Sequence, residues 1–287
     1  ITLSVIVLTG LVGQISLATF ALAGVAAFAM VRAGDELALP FPLSPIVGVV
    51  VAVAVGTLAG LPAIRVRGLT LAIASLAAAV AVEELVFEWR WFTGGLGGSA
   101  VEAPKLGPLD FDIQAVGDAY PRAAFGHLAL LVLFGCLVMV VNIRRSRTGW
   151  QWLAVRANEM AAESTGISAR RAKLAANAVA AALAGIGGTL LAYQAQFVSK
   201  DSFGALESLV VLAIAYLAGI AAPIAALIAG ALAEGGLLTE VLDRINDDAS
   251  SYQFAVNGLL LIVAAIRFPA GVVGMNGGRV GRKVSSQ

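Results

Sequence analysis

Long apolar segments dominate this sequence and limit it to one kind of fold. The hydrocarbon core of a bilayer is about 30 Å thick, so a helix that rises about 1.5 Å per residue crosses it with roughly 20 apolar residues. Hydrophobic residues make up 59% of the 287 residues and charged residues only 13%, far from the usage of soluble proteins. Segments of this length satisfy their backbone hydrogen bonds in lipid only as helices. The sequence therefore predicts an all-α, polytopic transmembrane bundle.

Some apolar segments fit one span each, and two longer apolar regions contain a break. Single spans are predicted near residues 43–63, 68–88, 123–143, 173–195 and 253–268. Residues 3–31 are interrupted by a polar run at 13–16. Residues 207–238 are too long for one helix and contain Gly219 and Pro223 near their middle. Glycine and proline weaken a helix, so each region is predicted to form a pair of short or broken helices. The total is about eight spans, in a single transmembrane domain over residues 1–287.

Basic residues collect on one side of the predicted spans. Thirteen of the 19 basic residues lie there, but only two of the 18 acidic residues, Glu159 and Glu163. Loops rich in Lys and Arg stay in the cytoplasm. This distribution predicts a cytoplasmic loop at 144–172, a cytoplasmic C-terminus and an outer loop at 89–122. We expect a multi-pass protein of the inner or plasma membrane. The sequence begins within an apolar run, so we expect its N-terminus to be truncated.

Residues 144–172, which we name the polar segment, interrupt a chain otherwise suited to lipid. Thr148 and Gln151 have the spacing of a capping box, and Gly166 suits the left-handed residue that follows a helix. These signals predict one helix of about 16 residues over 150–166. A polar helix at the cytoplasmic face is available to a cytoplasmic partner.

Six fragments of the chain occur in a characteristic order. They are residues 13–17 (GQISL), 67–73 (RGLTLAI), 93–95 (TGG), 156–167 (RANEMAAESTGI), 197–203 (FVSKDSF) and 267–272 (RFPAGV). In sequence and order they resemble the branched-chain amino acid permeases of ABC importers, whose EAA-type loop reads approximately R-x-N-E-x-A-A-E-x-x-G-I. The set covers the chain from end to end. Thr70 and Ala157 depart from the pattern, which has an aromatic and an acidic residue there.

The resemblance implies a permease subunit that moves branched-chain or related amino acids by alternating access, driven by ATP on a separate subunit. The implied partners are two ATP-binding cassette subunits, a second permease subunit, an extracytoplasmic solute-binding protein and membrane lipid, but no nucleic acid. This chain itself is expected to bind no cofactor.

The resemblance also identifies the helix in the polar segment as the coupling helix that docks on the ATP-hydrolysing subunit. The expected contacts are Trp150, Trp152, Val155, Arg156, Asn158, Glu159, Ala162, Glu163 and Gly166. Arg156 and Glu159 would make polar contacts, whereas Trp152, Val155 and Ala162 would offer an apolar face. Trp150 and Trp152 either enlarge that face or lie at the lipid headgroup level. Since this helix is expected to be exposed, Glu159→Lys should leave folding intact and uncouple transport.

Polar residues at lipid depth form a second candidate site, because such groups are costly unless they face protein or water. The candidates for a translocation path are Gln14, Ser16, Thr19, Ser75 and Asn177. The alternative for each is an interhelical hydrogen bond, worth about 0.6 kcal/mol on average. In the outer loop, Thr93, Gly94 and Gly95 belong to a segment that either caps the pore and meets a binding protein or is a solvated connector.

Motifs of catalysis are absent from the sequence. There is no G-x-x-x-x-G-K-[ST], since none of the four lysines follows a glycine, so ATP hydrolysis is expected on another chain. H-E-x-x-H and G-x-S-x-G are also absent, and the sole histidine, His127, excludes a multi-histidine metal site. We expect a transport subunit and not an enzyme. The alternative is a secondary transporter or channel for a small polar solute such as urea or an amide. That alternative leaves the polar segment unexplained.

Overall fold

The computed structural model describes residues 1–61, 69–106, 109–112, 123–220, 222–233 and 262. In these residues the chain is a helical bundle with two pairs of very short strands. The all-α, polytopic fold class is thereby confirmed, while the number of spans stays a prediction. Several predicted features lie outside the described residues: the start of the 67–73 fragment, most of the 253–268 span, the 267–272 fragment and the C-terminal tail.

The helices follow one another in chain order. They are α1 (Thr2–Val5, continued by the π-helix Ile6–Val12), α2 (Thr19–Leu37), α3 (Leu43–Ala59), α4 (Leu69–Val82, continued by the π-helix Glu83–Phe87), α5 (Arg90–Thr93), α6 (Ala123–Arg145), α7 (Arg147–Ala157), α8 (Glu159–Ser164), α9 (Ala169–Ala195), α10 (Glu207–Ala218) and α11 (Ala225–Leu232). Among them, the segments Thr70–Phe87, Ala124–Arg145 and Ala169–Ala195 are long and apolar enough to cross a membrane.

Both apolar regions that were predicted to be broken are broken. Residues 13–18 separate α1 from α2, and Gly13 there has a φ of 76°. Gly219, with a φ of 111°, ends α10 before α11 begins. Side chains rarely adopt such positive φ values, so glycine is the residue suited to both breaks. The two breaks also lie against each other, because a Cβ on Gly10 would be 2.1 Å from the Ile220 carbonyl oxygen.

The centre of the bundle is formed by α2, α3 and α9, which pack at very short range. A Cβ on Gly188 of α9 would be 2.0 Å from the Ala23 carbonyl oxygen, and one on Gly48 of α3 would be 2.4 Å from that of Ala26. Ala23 and Ala26 of α2 are both fully buried. Small residues permit such backbone contact, which is how helices associate in lipid, where burial of apolar surface supplies little driving force.

The two ends of α9 carry different structures. The polar segment includes its N-terminal end. Near its C-terminal end, strand β4 (Phe197–Val198) pairs antiparallel with β1 (Ser99–Ala100) of the predicted outer loop, and β2 (Lys105–Leu106) pairs with β3 (Leu109–Asp110) within that loop. At about 1.5 Å per residue, the 27 residues of α9 separate these ends by about 40 Å. The helix thus spans the bundle and sets two distinct poles.

Replacement of Gly188 by alanine is expected to lower the melting temperature of the purified protein in detergent. The added Cβ overlaps the Ala23 carbonyl oxygen, so α9 has to shift, at a cost of about 1–3 kcal/mol. Gly135→Ala is the matched control, because a Cβ on Gly135 of α6 would meet no atom within 4 Å in the described structure. Equal melting temperatures for the two variants would contradict this account of the central packing.

Candidate functional site

The polar segment forms two short helices, so the prediction of one continuous helix over 150–166 was wrong. Helix α7 ends at Ala157, and the backbone of the next residue, Asn158, is extended (φ −159°, ψ 109°). The Asn158 side-chain oxygen accepts a hydrogen bond from the Ala161 N–H at 3.1 Å and so caps α8. Asparagine competes well for this role at helix starts, which explains the break. Gly166, with a φ of 86°, lies just beyond α8, as predicted.

The N-cap of α7 is Ser146, and the predicted Thr148–Gln151 capping box was wrong. The Ser146 hydroxyl accepts a hydrogen bond from the Gly149 N–H at 3.3 Å. Thr148 lies inside the first turn of α7 and therefore cannot act as its cap. The basic residues that precede the helix, Arg144 and Arg145, lie in the last turn of α6.

The apolar face of the polar segment is directed into this chain, contrary to prediction. Trp152, Val155 and Ala162 are buried and pack in one cluster with Leu8 of α1 and Ala172 of α9. Trp152 is only 1% exposed. These side chains anchor the segment to the bundle, so they neither offer a face to a partner nor place Trp152 at the lipid headgroups.

A different set of side chains remains exposed on the polar segment. Trp150 is 68% exposed and Met160 73%, and Asn158, Glu163 and Gly166 are exposed as well. Met160 was missed by the sequence analysis. The available signal was a large apolar residue at a position that the motif leaves unspecified, between a glutamate and two alanines. Trp150 and Met160 are the apolar groups of this surface that a partner can reach.

Arg156 and Glu159 make contacts inside the chain. The Arg156 guanidinium donates a hydrogen bond to the Gly10 carbonyl of α1. Glu159 forms an ion pair with Lys173 of α9 at 2.8 Å, and Lys173 is only 4% exposed. The premise that Glu159 is freely exposed was therefore wrong. Glu159→Lys would place two ammonium groups together around a buried site, which would disturb folding as well as coupling.

The five predicted path residues line a single cavity. The cavity has a volume of about 30 Å³ and lies between the facing ends of α1 and α2 and parts of α3, α4 and α9. Gln14, Ser16, Thr19, Ser75 and Asn177 all contribute to its lining. A space of this size admits one or two water molecules but no amino acid. The cavity is therefore too small for an amino acid in this conformation.

Hydrogen bonds within the chain account for part of this polarity. Asn177 Nδ2 donates to Gln14 Oε1 at 3.4 Å and to the Lys173 carbonyl oxygen at 3.0 Å. The Ser75 hydroxyl accepts from the Leu17 N–H at 2.9 Å. The bonds of Asn177 and Ser75 to Gln14 and Leu17 join α9 and α4 to the segment between α1 and α2, and both residues also line the cavity.

Two buried polar groups of the cavity have no hydrogen-bond partner among the described residues. They are Gln14 Nε2 and Ser4 Oγ, on residues only 5% and 1% exposed. A buried polar group without a partner costs about 1–3 kcal/mol, so native structures rarely retain one without a function or an ordered water. Ser4 was missed by the sequence analysis because a single serine in an apolar run carries no signal of its own.

Thr93, Gly94 and Gly95 build a tight turn at the opposite pole. The Thr93 hydroxyl, which is buried, donates to the Phe87 carbonyl oxygen at 3.0 Å. Gly94 and Gly95 both have positive φ values, 79° and 72°. Arg32 Nε of α2 donates to the Phe92 carbonyl oxygen at 3.1 Å and ties the turn to the bundle. These contacts give the three residues a structural role, and their role toward a pore or a binding protein stays a prediction.

Comparison with known proteins assigns this architecture to a family. A family model described as "Branched-chain amino acid transport system / permease component" matches residues 1–265. The chain belongs to this permease family. It is 34% identical to "High-affinity branched-chain amino acid transport system permease protein LivM" of Escherichia coli (strain K12), and 33% identical to the protein of the same name from Salmonella typhimurium (strain LT2).

The matched region covers 80% of this chain and 56% of each relative, so the chain spans just over half the length of the curated relatives it matches. No solved structure matches the chain. As its apolar helices indicate, this member of the permease family is a membrane protein. The family description is that of a permease component of a transport system, in keeping with the prediction that the chain is not an enzyme.

Trp152 is buried and Trp150 is exposed on the same helix, so substitutions at the two positions separate an internal anchor from an external surface. Trp152→Ala is expected to destabilise the protein by about 3–5 kcal/mol, because it empties a fully buried site. Trp150→Ala removes the same side chain from an exposed position on the same helix and should change stability by less than about 0.5 kcal/mol. Melting temperatures in detergent measure both. Similar shifts in the two variants would show that α7 does not pack as described.

Proposed function

We propose that this chain is the transmembrane subunit of an ATP-driven ABC importer for branched-chain or related amino acids. The observation that carries the proposal is the polar segment, an EAA-type loop anchored by Trp152 with Trp150 and Met160 exposed beside it. The family match over residues 1–265 supports it. So do the names of the two relatives, which describe a high-affinity branched-chain amino acid transport system.

The proposed orientation places the polar segment in the cytoplasm and the 89–122 loop outside the cell membrane, in a multi-pass chain whose C-terminus is cytoplasmic. The positions of basic residues support it. Arg144 and Arg145 end α6, and Arg170 and Arg171 lie in the first turn of α9, so four arginines lie at the two ends of the polar segment, at one pole. The acidic residues Glu83, Glu84 and Glu88 lie toward the opposite pole. Positive residues near spans are retained in the cytoplasm.

The proposed partners are two ATP-binding cassette subunits, a second permease subunit and an extracytoplasmic solute-binding protein. ATP would be bound by the cassette subunits alone. The surface proposed for the cassette subunit consists of Trp150, Met160 and Glu163, which revises the contacts expected from the sequence. On α6, Leu131 and Phe134 are 70% and 68% exposed, a surface suited to lipid or to the second permease subunit.

The cavity that contains Gln14 is proposed as part of the translocation path, closed in this conformation. Its described lining includes no charged side chain, which favours a solute without net charge, such as a zwitterionic amino acid, over an ion. Alternating access would open the cavity to each side in turn as the cassette subunits move the polar segment.

The test of the proposed function is affinity purification of the tagged chain from its native membrane in mild detergent, with mass spectrometry of what co-purifies. A subunit with a P-loop ATPase motif should be recovered in stoichiometric amount. Trp150→Ala combined with Met160→Ala should reduce its recovery more than tenfold, because apolar anchors at interface centres contribute about 2 kcal/mol or more each.

Trp89→Ala is the matched control for that experiment. Trp89 is likewise 60% exposed but lies at the opposite pole, so the ATPase subunit should be recovered as with the unmodified chain. Purification of the chain alone, with uptake of solute into vesicles in the absence of ATP, would overturn the proposal in favour of a secondary transporter or channel.

The role of the cavity is tested by Ser4→Ala. This substitution removes a buried hydroxyl that has no partner in the described structure, so the melting temperature should stay unchanged or rise. If the hydroxyl contacts passing solute, ATP-driven uptake should fall about fivefold, equivalent to one hydrogen bond of about 1 kcal/mol. Ser44→Ala, at the opposite pole beside Tyr193, should leave uptake unchanged. Normal uptake by Ser4→Ala would remove Ser4 from the path.

A further inference from the structure

The polar segment is linked to the break in α1 through Arg156. The guanidinium of Arg156, in the last turn of α7, donates to the Gly10 carbonyl oxygen. Carbonyl groups in the last turn of a helix lack intrahelical partners and carry a partial negative charge, so a cation stabilises them. Arg156 therefore completes the C-terminal end of α1, across 146 residues of sequence.

The same side chain rests on the glycine at which the chain turns away from α1. A Cβ on Gly13 would be 3.0 Å from Cγ of Arg156, so the arginine stem fills the space that a side chain would occupy. Gln14 follows directly, and its carbonyl oxygen accepts a hydrogen bond from the Thr9 hydroxyl at 3.2 Å. A movement of α7 must therefore either carry the backbone at residues 10–14 with it or break the Arg156 contact.

A second link joins the polar segment to α9 at Lys173 and reaches the same glutamine from Asn177. Glu159 at the start of α8 pairs with the buried Lys173 at 2.8 Å. One helical turn further along α9, Asn177 Nδ2 donates to the Lys173 carbonyl oxygen and to Gln14 Oε1. The Asn177–Gln14 contact, at 3.4 Å, is long for a hydrogen bond and therefore weak. It is the contact in this series that separates most readily.

We propose that Arg156 and Lys173 are positioning residues that make Gln14, and with it the closed cavity, follow the movement of the polar segment. Arg156 acts on the backbone before Gln14. The Lys173 side chain ties Glu159 to α9, on which Asn177 holds the Gln14 side chain. When α7 and α8 move together, the Asn177–Gln14 contact breaks and the cavity opens. This inference rests on the proposed function, since it takes the polar segment to be the part that the ATPase subunit moves.

The experiment uses the complete transporter in proteoliposomes, with ATP hydrolysis and amino acid uptake measured in the same vesicles. Arg156→Met keeps the stem that packs on Gly13 and removes the donor to Gly10. It should retain ATP hydrolysis while uptake per ATP falls about tenfold, within the range of typical coupling energies. Arg156→Lys, which keeps a cation, should restore most of the coupling. Arg170→Met, an exposed arginine at the same pole, should behave like the unmodified protein.

A second variant covers the case in which Arg156→Met does not fold. Glu159→Gln combined with Lys173→Met replaces the ion pair by neutral side chains of similar size, a change that folded proteins often tolerate. It should assemble with the ATPase subunit and show the same loss of uptake per ATP. If Arg156→Met fails to assemble, this variant alone decides the question.

Unchanged uptake per ATP in an assembled variant would overturn the inference and leave the proposed function intact. Failure of the proposed function has a different signature, because the unmodified protein itself would then show no ATP-driven uptake. A loss of ATP hydrolysis in parallel with uptake, at a constant ratio, would also count against the positioning role, since it would show damage to the ATPase contact instead.

Discussion

Direct backbone contact of α2 with the helices α9 and α3 is the constraint on which the rest of this structure depends. Gly188 and Gly48 permit that contact because a Cβ at either position would overlap a main-chain carbonyl oxygen of α2. In lipid, where apolar burial provides little driving force, such short-range packing has to hold helices together. It fixes the position of α9, and α9 in turn places Asn177 at the cavity and Lys173 beside the polar segment.

The cost of burying polar groups explains why the candidate sites lie where they do. The break at Gly13 is followed directly by Gln14, which is buried. Asn177 contacts the oxygen of the Gln14 amide, while the amide nitrogen has no partner among the described residues. Lys173 is buried and is compensated by Glu159. Each of these groups would be expensive without its neighbour, so the helix break, the cavity and the polar segment stabilise one another. The same mutual dependence allows a movement of the helix break, the cavity or the polar segment to be transmitted to the other two.

Sequence reasoning succeeded where a local cause decides the structure. Glycine at 13, 166 and 219 adopts positive φ in each case, and the polar run after Gly13 lines a cavity as a group. It failed where the outcome depends on a neighbour distant in sequence. The burial of Trp152 and Val155 follows from their contact with α1 and α9, and no pattern within the polar segment distinguishes that arrangement from an exposed face.

What the sequence by itself determined is the class of fold, the position of the helix breaks in the two long apolar regions, and the family, because hydropathy, glycine and ordered motifs are properties of the chain alone. The tertiary structure decided which tryptophan faces outward, which basic residue pairs with Glu159 and which hydroxyl is left without a partner in the cavity. Those outcomes depend on distances between helices far apart in sequence. Such distances are set by packing, and packing is specified by the whole bundle and by no single segment of it.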